Sequence, residues 1–121
     1  MRVTELRPML STEDLKGTVD FYVNTLGFTC NAYREDWGWT SLSIDDGGIM
    51  FTRPNEHVPY DKIGCTGSFY FNTDDVDAWR ENLKDKATIC YELENFEHGM
   101  REFAIYDNNG YLLQFGQEIT E

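Results

Sequence analysis

Basic residues, histidines and paired cysteines are scarce in this sequence. Ten lysines and arginines stand against 22 aspartates and glutamates, a formal charge of −12 at pH 7. Such a surface repels phosphate backbones and anionic lipid, which argues against nucleic-acid and membrane partners. It also disfavours a polyanionic substrate, whereas a neutral or cationic ligand meets no such barrier. Solubility alone accounts for the charge equally well. Cys30, Cys65 and Cys90 lie far apart with no C-x-x-C pair, and read as free thiols in a reducing cytoplasm. No apolar run approaches the roughly 18 residues of a membrane helix, and "MRVTELRPML" carries no secretory pattern. The two histidines, His57 in "PNEHVPY" and His98 in "NFEHGMRE", sit in polar stretches and read as solvated. No Ser-His-Asp arrangement, phosphate-binding glycine loop or nucleic-acid motif accompanies them.

What is present is enough apolar material for a core: 40% of the 121 residues are hydrophobic and 15% aromatic, suited to one domain or two small halves sharing a core. The chain also repeats itself. "STEDLKGTVDFYVNTLGF" from Ser11 and "NTDDVDAWRENLKDK" from Asn72 each begin with a small polar residue, a threonine and two acidic residues. Ser11 with Asp14, and Asn72 with Asp75, have the spacing of a loose capping box. Leu15, Val19, Tyr22, Val23 and Leu26 then recur at helical spacing before Gly27, as do Val76, Trp79 and Leu83. A strand precedes each helix ("TELRPML", "GSFYFN") and three short runs follow it, with "DDGG" and "NNG" as turns. The order β-α-β-β-β therefore occurs twice, an α+β pattern. The first module spans about residues 1–54, the second about 66–118, and a linker of about 55–65 joins them.

The segments "MLSTEDLKGTVDFYVNTLGF", "GSFYFNTDDVDAW" and "IYDNNGYLLQFGQ", in this order and spacing, resemble the vicinal oxygen chelate superfamily, the glyoxalase, bleomycin-resistance and extradiol dioxygenase group. The resemblance covers nearly the whole chain and implies two βαβββ modules whose curved sheets form a cleft, often in a homodimer. It also implies where metal ligands would fall: Arg7, Ser68, Gln114, and a fourth position near Phe51 or Thr52. Divalent cations take carboxylates and neutral imidazoles. An arginine repels them, a serine hydroxyl is a weak ligand, and a single glutamine carbonyl does not make a site. The expectation is no metal and no cofactor.

Period-two alternation assigns the remaining faces. Arg7, Met9 and Ser11 share the cleft side, opposite Leu6, Pro8 and Leu10. Ser68, Tyr70 and Asn72 line it in the second module, with Phe69 and Phe71 in the core. Trp39, Ser41 and Ser43 lie opposite Thr40, Leu42 and Ile44, and Leu112 and Gln114 face the cleft from the last strand. In "YREDWGWT", Trp37 and Trp39 flank a glycine beside Glu35 and Asp36. Exposed, they stack on a planar or cationic ligand; buried, they are core or dimer contacts. The expected ligand-binding set is Arg7, Met9, Trp37, Trp39, Ser41, Phe51, Ser68, Tyr70, Leu112 and Gln114. Three functions follow. The first is a metal-independent cytoplasmic homodimer that sequesters a small neutral or cationic organic molecule, as bleomycin-resistance proteins do. The second is a glyoxalase-like lyase, isomerase or dioxygenase with relocated ligands among Glu13, His57, Glu97 and His98. The third is an interaction module that uses its sheet faces.

Overall fold

The computed structural model describes residues 1–57 and 62–120. The chain divides into two compact units, Met1–Ile63 and Gly64–Glu121. Among the described residues each contains one α-helix and four strands, and the first adds a π-helical turn. Residues 58–61 of the expected linker lie outside the described residues.

The first unit runs β1 (Met9–Ser11), α1 (Leu15–Asp20), a π-helical turn (Phe21–Thr25), β2 (Thr29–Arg34), β3 (Trp39–Ile44) and β4 (Gly47–Thr52). Its sheet order is β1-β4-β3-β2. β1 and β4 are parallel, with Met9 opposite Met50, and the remaining pairs are antiparallel. The second unit repeats the plan with β5 (Phe69–Asn72), α2 (Val76–Leu83), β6 (Thr88–Asn95), β7 (Met100–Tyr106) and β8 (Leu112–Glu118), in the order β5-β8-β7-β6. Here Tyr70 lies opposite Gln114.

Both helices start alike, but not at the expected caps. The N-caps are Asp14 and Asp75, whose carboxylates accept from the backbone N–H of Gly17 (3.0 Å) and Ala78 (3.1 Å). Thr12 and Thr73 accept in turn from the N–H groups of Asp14 and Asp75. Ser11 and Asn72 end their strands instead. α2 has a further partner: its first N–H, on Val76, donates to Gln117 Oε1 on β8 at 2.9 Å, which satisfies a donor that no helical carbonyl can reach.

Alternation along the strands then sorts the side chains. In the first unit Leu42, Ile49 and Phe51 are buried with Leu15, Tyr22 and Leu26 of the helical segment. The π turn, closed by Leu26 N–H to Phe21 O, leaves Tyr22 fully buried between Phe28 and Phe51, each at 5.1 Å between ring centroids. In the second unit Phe115 is the hub. It stacks on Phe71, Trp79 and Phe103 at 4.9–5.4 Å, and Val76, Leu83, Ile105 and Leu113 fill the space around it. Burial of apolar area at this scale is the main stabilising contribution in each unit. One expected face is corrected. Leu6 is 88% exposed, because the strand begins only at Met9 and alternation does not extend back to it.

Candidate functional site

In each unit the face turned away from its own helix carries the polar side chains. On the first sheet this far face gathers Arg7, Met9, Trp39 and Ser41. The Arg7 guanidinium donates to Ser41 Oγ (2.5 Å), Asn31 Oδ1 (3.3 Å) and Glu5. It lies so close over β4 that a Cβ built on Gly48 would meet its Nε at 2.5 Å. Arg7 is thus fixed across the strands β4, β3 and β2.

The repeat makes the fourth metal-ligand position unambiguous. Met9 and Tyr70 are equivalent, 61 residues apart. Met9 pairs with Met50 and Tyr70 with Gln114, so Met50 is the counterpart of Gln114. Phe51, expected in the binding set, is instead 0% exposed and packed on Tyr22. The one-residue slip places it on the opposite face, as the two-residue period requires.

Trp37 stands apart from the sheet face, in the turn between β2 and β3, and is 62% exposed. Its ring is already covered by a cation of its own unit, the Arg34 guanidinium at 3.8 Å from the ring centre. The neighbouring acids are also engaged: Asp36 with Arg34, and Glu35 with Arg53 and Tyr33. Hydrogen bonds from Tyr33 and Arg53 hold the Glu35 carboxyl below its ordinary value. Trp39 lies 6.2 Å from Trp37. The run "YREDWGWT" is therefore a self-satisfied turn rather than a free acidic clamp.

The far face of the second sheet brings together Ser68, Tyr70, Leu112 and Gln114. It adds Tyr91 and Glu102, which sequence reasoning did not select, and His98, which it named only as a relocated metal ligand. Glu102 is 4% exposed. Its Oε1 accepts from Tyr70 OH (3.0 Å) and faces His98 Nε2 at 2.8 Å, while Oε2 accepts from Tyr91 OH. Burial pushes the Glu102 carboxyl up, but the three donors Tyr91, His98 and Tyr70 outweigh it, and the group titrates below its ordinary value. Burial, and then the bond to Glu102, push both Tyr70 and Tyr91 up to about 12. Gln114 extends the network: its Nε2 donates to Tyr91 OH at 2.9 Å and its Oε1 accepts from Ser68 Oγ at 2.5 Å. Tyr70 crosses directly over Gly116, where a Cβ would lie 1.9 Å from its hydroxyl. Only a residue without a side chain leaves room for that ring.

His98 sits in the turn between β6 and β7 and is exposed, in keeping with the solvated reading, while its ring also returns to the sheet, where it stacks on Phe96 at 5.6 Å and 22°. Two cavities meet at it. One of about 320 Å³ is lined by Tyr91, Glu92, Glu94, Phe96, His98 and Glu102. The other, of about 450 Å³, includes His98, Met100, Asn72 and Glu118.

These residues do not suit a divalent cation at the positions the resemblance implied. In the first unit the two positions are Arg7, held by Ser41 and Glu5, and the thioether of Met50. In the second they are Ser68 and Gln114, bonded to each other. Among the described residues no three His, Cys, Asp or Glu side chains group as a metal site, and the His57 ring, 84% exposed, lies 3.7 Å from Glu56. No helix of the described residues is long and apolar enough to cross a membrane.

A family model described as the Glyoxalase/Bleomycin resistance protein/Dioxygenase superfamily matches residues 6–115. No curated protein matches the sequence. Among solved structures, the chain is similar to TnmS3, an antibiotic binding protein from Streptomyces sp. CB03234, at 21% identity and a TM-score of 0.80, over 98% of this chain and 99% of that one. It is similar to a glyoxalase/bleomycin resistance protein/dioxygenase from Nocardioides at 14% identity and a TM-score of 0.77, over 98% and 86%. It is also similar to lactoylglutathione lyase from Agrobacterium tumefaciens at 17% identity and a TM-score of 0.73, over 96% and 95%. At such identities the likeness concerns the fold, and neighbours that bind and neighbours that catalyse share it. With the family match covering nearly the whole sequence and both units built as β-α-β-β-β, the chain belongs to the glyoxalase/bleomycin resistance protein/dioxygenase superfamily.

Proposed function

We propose that the protein binds a small neutral or cationic organic molecule on the far faces of its sheets, without a metal, in the manner of the bleomycin-resistance members of its superfamily. The observation that carries this reading is the side-chain chemistry at the implied ligand positions. Arg7, Met50, Ser68 and Gln114 supply a fixed guanidinium, a thioether, a hydroxyl and an amide, and three of the four are bonded within their own unit. Such a set offers hydrogen bonds and apolar contact to an organic molecule and too little negative charge to hold a doubly charged ion. The net charge of −12 favours cations over anions. TnmS3, with the same fold, is an antibiotic binding protein, which is in keeping with the reading.

The binding set is Arg7, Met9, Trp39 and Ser41 in the first unit and Ser68, Tyr70, Leu112 and Gln114 in the second, enlarged by Tyr91 and Glu102. The reading includes a cytoplasmic homodimer. The exposed apolar side chains of Val3, Leu6 and Met9 along the N-terminal segment suit burial against a second chain, and sedimentation velocity measures it. Thermal-shift and calorimetric screening of small organic compounds tests the main claim. Binding should persist unchanged in EDTA, and loss of every binder on chelation refutes it.

A further inference from the structure

The cavity of about 320 Å³ in the second unit has a charged floor, and of the acids in its lining Glu92 is paired with Arg80 whereas Glu102 meets no lysine or arginine among the described residues. Its floor is Glu102, a carboxylate whose side chain is 5% exposed. A carboxylate has about four acceptor sites, and Tyr70, Tyr91 and His98 use three of them. The three donors differ in how they are held. Tyr70 and Tyr91 project from β5 and β6, and their phenols stay protonated well past neutral pH. His98 comes from a turn closed by Gly99 at φ +85° and is 57% exposed. Its ring is held by two contacts: the 2.8 Å approach of Nε2 to Glu102 and the near-parallel stack on Phe96. Phe96 is braced by Tyr91, edge-on at 5.7 Å.

A flat ring stacked on an aromatic face, with one N–H directed at a buried carboxylate, is the arrangement by which a planar nitrogen cation is recognised. We propose that His98 is an internal stand-in for such a ligand, and that the pocket of Phe96, Tyr91 and Glu102 takes a planar organic cation of imidazolium or amidinium type, which displaces the His98 ring. This deepens the small-molecule reading and rests on it. The displaced ring has somewhere to go, because His98 also lines the neighbouring cavity of about 450 Å³. Glu94 at the rim adds attraction for a cation, while Glu92 beside it is paired with Arg80 at 2.8 Å. Because a ligand must first expel the ring, the intact protein binds more weakly than one whose pocket is already vacated.

The probes are 4-methylimidazole, which reproduces the histidine side chain, and benzamidine. Each is titrated by calorimetry and NMR into the full chain, with circular dichroism to confirm folding. His98→Ala should bind both at least about tenfold more tightly than the unaltered protein. Adding Phe96→Leu or Glu102→Gln to His98→Ala should cost about tenfold, the loss of a stack or of a charged hydrogen bond; either one suffices if the other misfolds. If His98→Ala gains no affinity, or its gain survives both second substitutions, His98 only fastens the turn and the inference falls. EDTA-resistant binding of other compounds by the unaltered protein would in that event leave the broader reading standing.

Discussion

Gln114 is the residue whose exchange most directly probes the network around Glu102. In Gln114→Glu one atom pair changes. The amide Nε2 now donates to Tyr91 OH at 2.9 Å, and an oxygen would replace it. Tyr91 has a single proton, already given to Glu102, so the new carboxylate and the phenol oxygen would face each other without a hydrogen between them. The lost bond costs about 1 kcal/mol. The new charge would also lie about two hydrogen-bond lengths from Glu102, roughly 5 Å. At an effective dielectric constant of about 20 that repulsion is about 3 kcal/mol before solvent screening of a half-buried side chain. A net loss of about 2–3 kcal/mol follows, or about 10 °C in Tm at roughly 4 °C per kcal/mol. The repulsion raises the folded pKa of the new carboxyl above its unfolded value of about 4.3. The penalty is therefore full above the raised value and vanishes as pH falls below the unfolded one, where the protonated group donates to Tyr91 again. Urea denaturation of both proteins at pH 7 and pH 4 measures the difference. Equal stabilities at pH 7, or a deficit of the same size at both pH values, would refute the network as described.

Two further outcomes follow from the same face. Gly116→Ala should destabilise by about 1–2 kcal/mol, because the added methyl forces the Tyr70 hydroxyl off Glu102; in a Tyr70→Ala background the same change should cost almost nothing, and a double-mutant cycle in urea reads the difference. Glu102 has its folded pKa depressed, so its contribution is present above the ordinary carboxylate range and lost as pH falls through the depressed value. Glu102→Gln should flatten the acid limb of the stability profile, and an unchanged limb would show that the carboxylate is not held ionised.

The fold was legible because several signals agreed. The repeated cap, helix and turn of Thr12–Gly27 and Thr73–Lys84 define two like units, and alternation along β3, β5 and β8 puts Ser41, Tyr70 and Gln114 on one side of their sheets. What alternation cannot supply is an origin. Nothing local says whether Phe51 or Met50 faces away from the helix, and only the ladder pairs Met9↔Met50 and Tyr70↔Gln114 decide it. It also fails beyond a strand's end, hence Leu6. For the acidic, aromatic run around Trp37 the sequence was incomplete for a different reason: composition shows that cations and acids are near, but not that Arg34 lies over Trp37 and pairs with Asp36, or that Arg53 pairs with Glu35.

The two glutamines of β8 show where a sequence signal existed and where it stopped. In "LLQFGQ" a polar residue recurs at spacing three, against the two-residue period of a strand, so the two cannot share a face. Gln117 faces the helix and binds the first N–H of α2, a donor every helix start leaves open and a sequence reader can anticipate. Gln114 faces the other way and joins Ser68 to Tyr91, partners 46 and 23 residues distant, which no local pattern announces. Glu102 was harder still. A glutamate in "REFAIYD" reads as the solvent-facing half of an alternating strand, and it does lie on the non-helical face. It is buried there because two tyrosines and a histidine from three other segments converge on it. A carboxylate keeps its charge at 4% exposure only with such donors. The burial of Glu102 and the convergence of Tyr70, Tyr91 and His98 are thus one fact, visible only once the strands are placed side by side.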